Sequence, residues 1–215
     1  MADLPLGDLL PGGAAKPKSK SGGGQVIEFV VIVVVAIGLA LGIQALLVKP
    51  YRIPSESMEP TLDVGQRVLV NRIGNRFADP EIGEVLVFHP PKGSDVNQCG
   101  APAAEGQPCP RPTPDRSDVN FIKRVVAGPG DRIAISNGRV VLNGRLQKES
   151  FVRPCREGDT CDFPQSITVP PDHYFMMGDN RGSSDDSRFW GPVPKKWIIG
   201  GAFATYWPPG RLGLL

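Results

Sequence analysis

Residues 53–62 read IPSESMEPTL, which places Ser55 and Ser57 one residue apart and flanks them with prolines. A serine hydroxyl is a weak nucleophile until a neighbouring base takes its proton. Histidine is the usual base, and the chain has two: His89 at the end of a strand-like run beside Pro90, and His173 in a Pro-Pro-Asp turn. Neither lies in a recognisable motif, so both are read as turn residues. No Gly-x-Ser-x-Gly elbow is present, which argues against an α/β-hydrolase triad. Lysine is the other candidate. Lys123 lies in FIKRVV, among apolar and β-branched residues. Burial disfavours the ammonium form and lowers a lysine pKa by up to ~3–5 units, leaving an amine able to accept the serine proton. Arg124 cannot do this, because a guanidinium stays charged. Strand alternation sends Phe121, Lys123 and Val125 to one face, but both faces are largely apolar, so the pattern leaves open which cation is buried.

The elements that must position these groups begin with an anchor. Residues 29–48 form a twenty-residue run whose only strongly polar member is Gln44. As a helix this run is about 30 Å long, the thickness of a hydrocarbon core, and it has no polar stripe. It is read as a transmembrane helix over residues 25–48 that stays attached. Lys16, Lys18 and Lys20 precede it and only Lys49 and Arg52 closely follow, which puts the N-terminus in the cytoplasm and residues 49–215 outside. Residues 1–24, rich in Gly, Pro, Lys and Ser, are expected to be a disordered tail. Gly38 and Gly42 form a small-xxx-small pair that could bring two such helices together. A monomer is nevertheless expected.

The 26 glycines and 23 prolines suit a loop-rich β protein. With a net charge of +2 and scattered cations, nucleic acid is not an expected partner. Residues 67–70 and 84–89 read as strands. Residues 91–118, with six prolines and two cysteines, leave the core as a long excursion. Asn137-Gly138 and Asn143-Gly144 each mark a tight hairpin turn, giving a β-hairpin insertion over about 136–169. Residues 197–207 close the chain with one or two strands. Cys99, Cys109, Cys155 and Cys161 all follow the span, where disulfides persist. Four cysteines allow three connectivities, of which Cys99 with Cys109 and Cys155 with Cys161 is the simplest. A zinc site would need tighter cysteine pairs or nearby histidines.

Taken together, PSESMEPTL, FIKRVVAGPGD and MMGDNRGSSDDSRFWG, in that order after an anchor, resemble the three signature boxes of type I bacterial signal peptidases, membrane-bound serine proteases with a Ser/Lys dyad. The similarity covers roughly residues 27–207, outside the tail and the loop of 91–118. It implies a mainly β fold: a transmembrane helix followed by an antiparallel β-sheet catalytic domain of the signal peptidase or LexA-like type, with inserted loops. It also implies Ser57 as nucleophile, Lys123 as general base, and Ser55 with the Ser57 amide as oxyanion hole. Met58 and Pro60 would shape the turn. Ser184 matches a serine that orients the lysine, Asp186 and Arg188 match a supporting ion pair, and Asp179 matches a further structural acid. Here the chain departs from the commoner pattern: Ser183 rivals Ser184, and Asp185 rivals Asp186. By the same resemblance Tyr51, Ile53, Leu62 and Ile122 would line shallow pockets for small side chains, with the substrate bound as an added β-strand.

Nine peptide steps separate Val48 from Ser57, at most about 32 Å of chain, so the nucleophile works near the bilayer. The expected substrates are signal peptides of exported preproteins, cut after a small-x-small motif on the outer face of the cytoplasmic membrane. No metal or organic cofactor is implied. Trp207 and the terminal RLGLL could touch lipid. Two rival readings are a LexA-like self-cleaving protein, which would carry a DNA-binding domain in place of the anchor, and a non-catalytic anchored β module.

Overall fold

The computed structural model describes residues 22–215; the expected tail lies almost wholly outside them. The chain divides into two units, residues 1–43 and 44–215. The described part of the first is helical. Helix α1, Gly22–Leu47, has no polar stripe along it, and its stretch Gly24–Gly42 is long and apolar enough to cross a membrane, with a mean hydropathy of 2.5. Phe29, Ile32 and Leu39 are each at least 60 % exposed. Side chains of this kind gain free energy from an apolar solvent, roughly 25 cal/mol for each Å² removed from water.

The second unit is mainly β, with every strand pair antiparallel. Its strands are β1 (Val48–Arg52), β2 (Arg67–Asn71), β3 (Val85–Phe88), β4 (Phe121–Ala127), β5 (Arg132–Ser136), β6 (Arg139–Leu142), β7 (Arg145–Leu146), β8 (Phe163–Thr168), β9 (His173–Met177), β10 (Val193–Pro194), β11 (Ile198–Trp207) and β12 (Gly213–Leu214). Two single-turn helices join them, α2 (Gly74–Phe77) and α3 (Ser187–Trp190). The larger sheet has the order β1-β2-β11-β3-β4-β9-β10, with β12 beside β11. The smaller has the order β7-β6-β5-β8. Its first strand in the chain begins at Arg132. Both Asn-Gly turns have positive φ at both residues, 50° and 72° at Asn137-Gly138 and 51° and 80° at Asn143-Gly144. Asn and Gly adopt that region at low cost, and the turn's twist matches the flanking strands. Residues 198–207 form one strand rather than two.

Three apolar clusters hold these elements among the described residues. Val126, Phe175 and Met177 of the large sheet pack with Ile133, Ile135 and Ile167 of the small one. Ile53, Met58 and Leu62 pack with Val68, Val87 and Ile122. Leu86, Phe88 and Val125 pack with Trp190 and Trp197. Strand β4 contributes to all three, which fixes its side chains from every direction. Disulfides join Cys99 to Cys109 and Cys155 to Cys161. With their sulfurs bonded to each other, none of the four offers a thiolate to a metal.

Candidate active site

Ser57 occupies a 3-10 turn, Glu56–Met58, entered from the extended residue Ser55. The turn is fixed from two sides. Met58 is fully buried in the cluster with Ile53 and Leu62. Asn180 donates its backbone N–H to the Ser57 carbonyl at 3.0 Å and its side-chain amide to the Glu56 carbonyl at 3.2 Å. The Ser57 N–H lies in the first turn of this helix, where backbone donors lack an acceptor within the helix.

Strand β4 brings Lys123 to the same point. Its Nζ lies 2.6 Å from Ser57 Oγ in a hydrogen bond, and Ser55 Oγ is 3.3 Å from that oxygen. Lys123 is 4 % exposed. Burial drives its pKa down from 10.5 to about 8, against the attraction of Asp186, Asp185 and Asp179 and with added repulsion from Arg188. At pH 7 about a tenth of the amine is then uncharged, and in that state the serine hydroxyl is the donor.

Residues 183–186 alternate in burial. Ser183 and Asp185 are exposed in the wall of the cleft, while Ser184 and Asp186 are buried. Asp186 receives Arg188 in a two-pronged contact, Nε to Oδ1 at 2.8 Å and Nη2 to Oδ2 at 3.0 Å. Its Oδ2 also accepts from the Gly178 N–H at 3.1 Å. Burial works to raise the Asp186 carboxyl, but the guanidinium, its hydrogen bonds and the Lys123 charge outweigh this and hold it below the usual range.

The resemblance assigned Ser184 to the lysine, but its hydroxyl instead donates to Asp186 Oδ2 at 2.8 Å. A charged carboxylate is the stronger acceptor, which accounts for the bond to Asp186. Asp185 does not take Arg188 either: it accepts from the Asn97 side-chain amide at 2.8 Å. Asp179 is buried beneath Arg124, with Nε to Oδ1 at 2.9 Å and Nη2 to Oδ2 at 2.6 Å. Thr61 adds a hydroxyl to the same Oδ2 at 2.5 Å.

A cleft of about 310 Å³ opens over Ser55, Ser57 and Lys123. Of the four expected pocket residues, Ile122 lines it. Ile53 and Leu62 are 1 % and 0 % exposed and belong to the core that packs against Ile122. Tyr51 lies at the margin of that core. Ile53 and Leu62 are thus packed beneath the cleft, whereas Tyr51 keeps a partly exposed face. The backbone does offer one. Val125 exchanges hydrogen bonds with Gly83 and Glu84 on the β3 side, so by alternation the N–H and C=O of Ile122 point to the other edge. Strand β9 pairs with β4 only from Arg124 onward. Among the described residues that edge of Phe121–Lys123 carries no strand.

Gly178, Asn180, and Arg124 and Thr61 as the partners of Asp179, were not anticipated from the sequence. A Cβ on Gly178 would overlap the Ser184 hydroxyl and the Ser57 carbonyl. Its φ is not positive, so no turn signature marked it. Asn180 sits in the polar stretch GDNRGSS, where one amide among many gives no signal. Arg124 carried one clue, an adjacent lysine competing for the interior.

The family model described as signal peptidase, peptidase S26, matches residues 26–207. The chain is 36 % identical over 184 residues to a probable signal peptidase I-2 of Synechocystis, covering 85 % of this chain and 73 % of that protein. It is 35 % identical over 202 residues to a signal peptidase I of Leptolyngbya laminosa, covering 94 % and 88 %. A signal peptidase IB of Staphylococcus aureus is 30 % identical over 198 residues, covering 86 % and 91 %. The chain belongs to the signal peptidase family, peptidase S26, and is a serine peptidase.

Proposed function

We propose that the chain is a membrane-anchored endopeptidase that removes signal peptides from exported preproteins after a small-x-small motif, with Ser57 as nucleophile and Lys123 as general base. The observation that carries this is the 2.6 Å hydrogen bond between Lys123 Nζ and Ser57 Oγ inside a shielded site. Uncharged Lys123 takes the proton as Ser57 Oγ bonds to the scissile carbonyl carbon. The oxyanion so formed accepts hydrogen bonds from the Ser55 hydroxyl and the Ser57 N–H. Lys123 then gives its proton to the departing amine as the C–N bond breaks, leaving an ester on Ser57. A water molecule, deprotonated by the same amine, attacks that ester; the Ser57 oxygen leaves and recovers its proton. Asp186, Arg188 and Ser184 hold the rear of the site, and Asp179 with Arg124 and Thr61 holds its flank.

The open edge at Ile122 supports binding of the substrate as an added strand, with backbone bonds for affinity and the small cleft selecting small side chains. Helix α1 is read as the anchor. The lysines ahead of it favour a cytoplasmic N-terminus and a catalytic unit on the far side.

The test is cleavage of a peptide with alanines at the first and third positions before the cut, using the purified full chain in detergent. Wild type should release the fragment at that bond, as read by mass spectrometry, and Ser57→Ala and Lys123→Ala should not. Equal turnover by all three would end the dyad assignment. EDTA should leave the wild-type rate unchanged.

A further inference from the structure

Residues 91–118 lie outside the three signature boxes, yet they form an ordered body. Their ends run side by side: Pro91 bridges Arg116, Lys92 N–H donates to the Asp115 carbonyl at 2.8 Å, and Ser117 N–H donates to the Pro90 carbonyl at 2.8 Å. The buried Thr113 hydroxyl donates to the Lys92 carbonyl at 2.7 Å. The Cys99–Cys109 bond closes the tip, and Gly100 lies so close to the Pro112 backbone that no Cβ fits. Two further hydrogen bonds fasten this body to the catalytic scaffold. Cys109 N–H donates to the carbonyl of Arg188, the partner of Asp186, at 2.9 Å, and the Asn97 amide holds Asp185 in the cleft wall.

Between this body and the start of β4 runs a groove of about 930 Å³. It shares Pro54, Asn120 and Phe121 with the catalytic cleft, so the two adjoin. A chain laid along the free edge of β4 past Ile122 toward Asn120 runs into it. The charged groups that line the groove are Lys92, Asp95 and Asp115, and Asp185 lines the adjoining cleft. The charge balance is therefore acidic.

We propose that residues 91–118 are a substrate-binding element: the groove receives the stretch of preprotein that runs out of the cleft, and Asp95 and Asp115 favour a basic side chain there. The proposal rests on the peptidase reading of the cleft. Exposed charge pairs contribute little singly, so each acid should change binding about two- to five-fold.

The experiment compares peptides that carry the cut site and are extended on either side with Lys or with Glu. For each chain the readout is the ratio of KM values for the Lys and Glu forms, which cancels any general loss of activity or fold. Wild type should prefer Lys on one side of the cut. Asp95→Lys and Asp115→Lys should each erode that preference, and the double variant should invert it. The same ratio is read as peptide affinity on the Ser57→Ala chain by fluorescence anisotropy. No Lys preference on either side in wild type, or a preference that the double variant keeps, overturns the proposal. A Lys preference in binding by Ser57→Ala, with no cleavage by wild type, sustains the groove and removes the peptidase reading.

Discussion

Lys123 and Arg124 are neighbours in β4 and end in opposite surroundings. Arg124 spans Asp179 with two hydrogen bonds and stacks on Phe151, its guanidinium carbon 4.1 Å from the ring centre. Lys123 meets an uncharged hydroxyl, Ser57 Oγ. The arrangement gives the buried acid on that flank, Asp179, a permanent cation of its own. Asp186 is treated in the same way by Arg188. Each of these acids is committed to a guanidinium, and desolvation outweighs the attraction they still exert on the amine.

The first prediction is a rate that rises with pH. Only uncharged Lys123 accepts the serine proton, and its pKa is about 8. The acylation rate should climb tenfold per pH unit below that value and level off above it. A pH profile of kcat/KM on the alanine peptide checks this, and a rate that falls between pH 7 and 9 contradicts it.

Lys123 should also weaken the fold at neutral pH. Its pKa is depressed from 10.5 to about 8 on folding, so between those values the unfolded chain binds the extra proton. The penalty is complete below about pH 8 and disappears as pH rises toward 10.5. Lys123→Met should abolish activity while stabilising the chain at pH 7 by roughly 3 kcal/mol. Denaturant melts at pH 7 and pH 10.5 should show that gain at the first pH and little of it at the second.

Ser55 should matter for rate far more than for binding. Its hydroxyl lies 3.3 Å from Ser57 Oγ, where it can reach the oxyanion but has no comparable role in the ground state. Ser55→Ala should lower kcat about 100-fold or more with KM nearly unchanged. A matching rise in KM would place Ser55 in substrate binding instead.

Legibility in the sequence followed range. The apolar helix and both Asn-Gly turns are written in consecutive residues, and they could be read. The signature boxes supplied Ser57 and Lys123, although strand alternation left Lys123 and Arg124 undecided because β4 is buried on both faces. That choice is settled by Asp179, 55 residues further along the chain. The resemblance placed Ile53 and Leu62 in the pocket wall, and their apolar character describes core residues equally well. Ser184 was matched to the lysine by the resemblance; its bond to Asp186, two residues away, depends on a distance that only the folded backbone sets. The order within 91–118 depends on backbone bonds between its two ends, which composition does not reveal.

Gly178 should tolerate no side chain. An added Cβ would meet both the Ser184 hydroxyl and the Ser57 carbonyl, so Gly178→Ala pushes apart the turn that carries the nucleophile and the segment that backs the lysine. Overpacking of this kind costs about 1–3 kcal/mol. The specific expectation is that kcat falls by more than the folded fraction explains, because a displaced Ser57 loses its alignment with Lys123. Thermal melting combined with active-site titration separates the two effects.

Asp186 gives the most discriminating test, because its loss should move stability and the pH profile in known directions. Asp186→Asn leaves Arg188 buried with a neutral partner, and breaking a buried ion pair from one side costs about 3–5 kcal/mol. The same change removes an attraction that raises the Lys123 pKa and leaves the repulsion of Arg188 unbalanced. The lost attraction lowers the lysine pKa, so the acidic limb of the rate profile should shift below its wild-type position near pH 8. The variant should therefore be less stable and slower at its plateau, yet should reach half of that plateau at a lower pH than wild type. A limb that stays in place, or moves upward, would show that Asp186 does not act on the lysine through its charge.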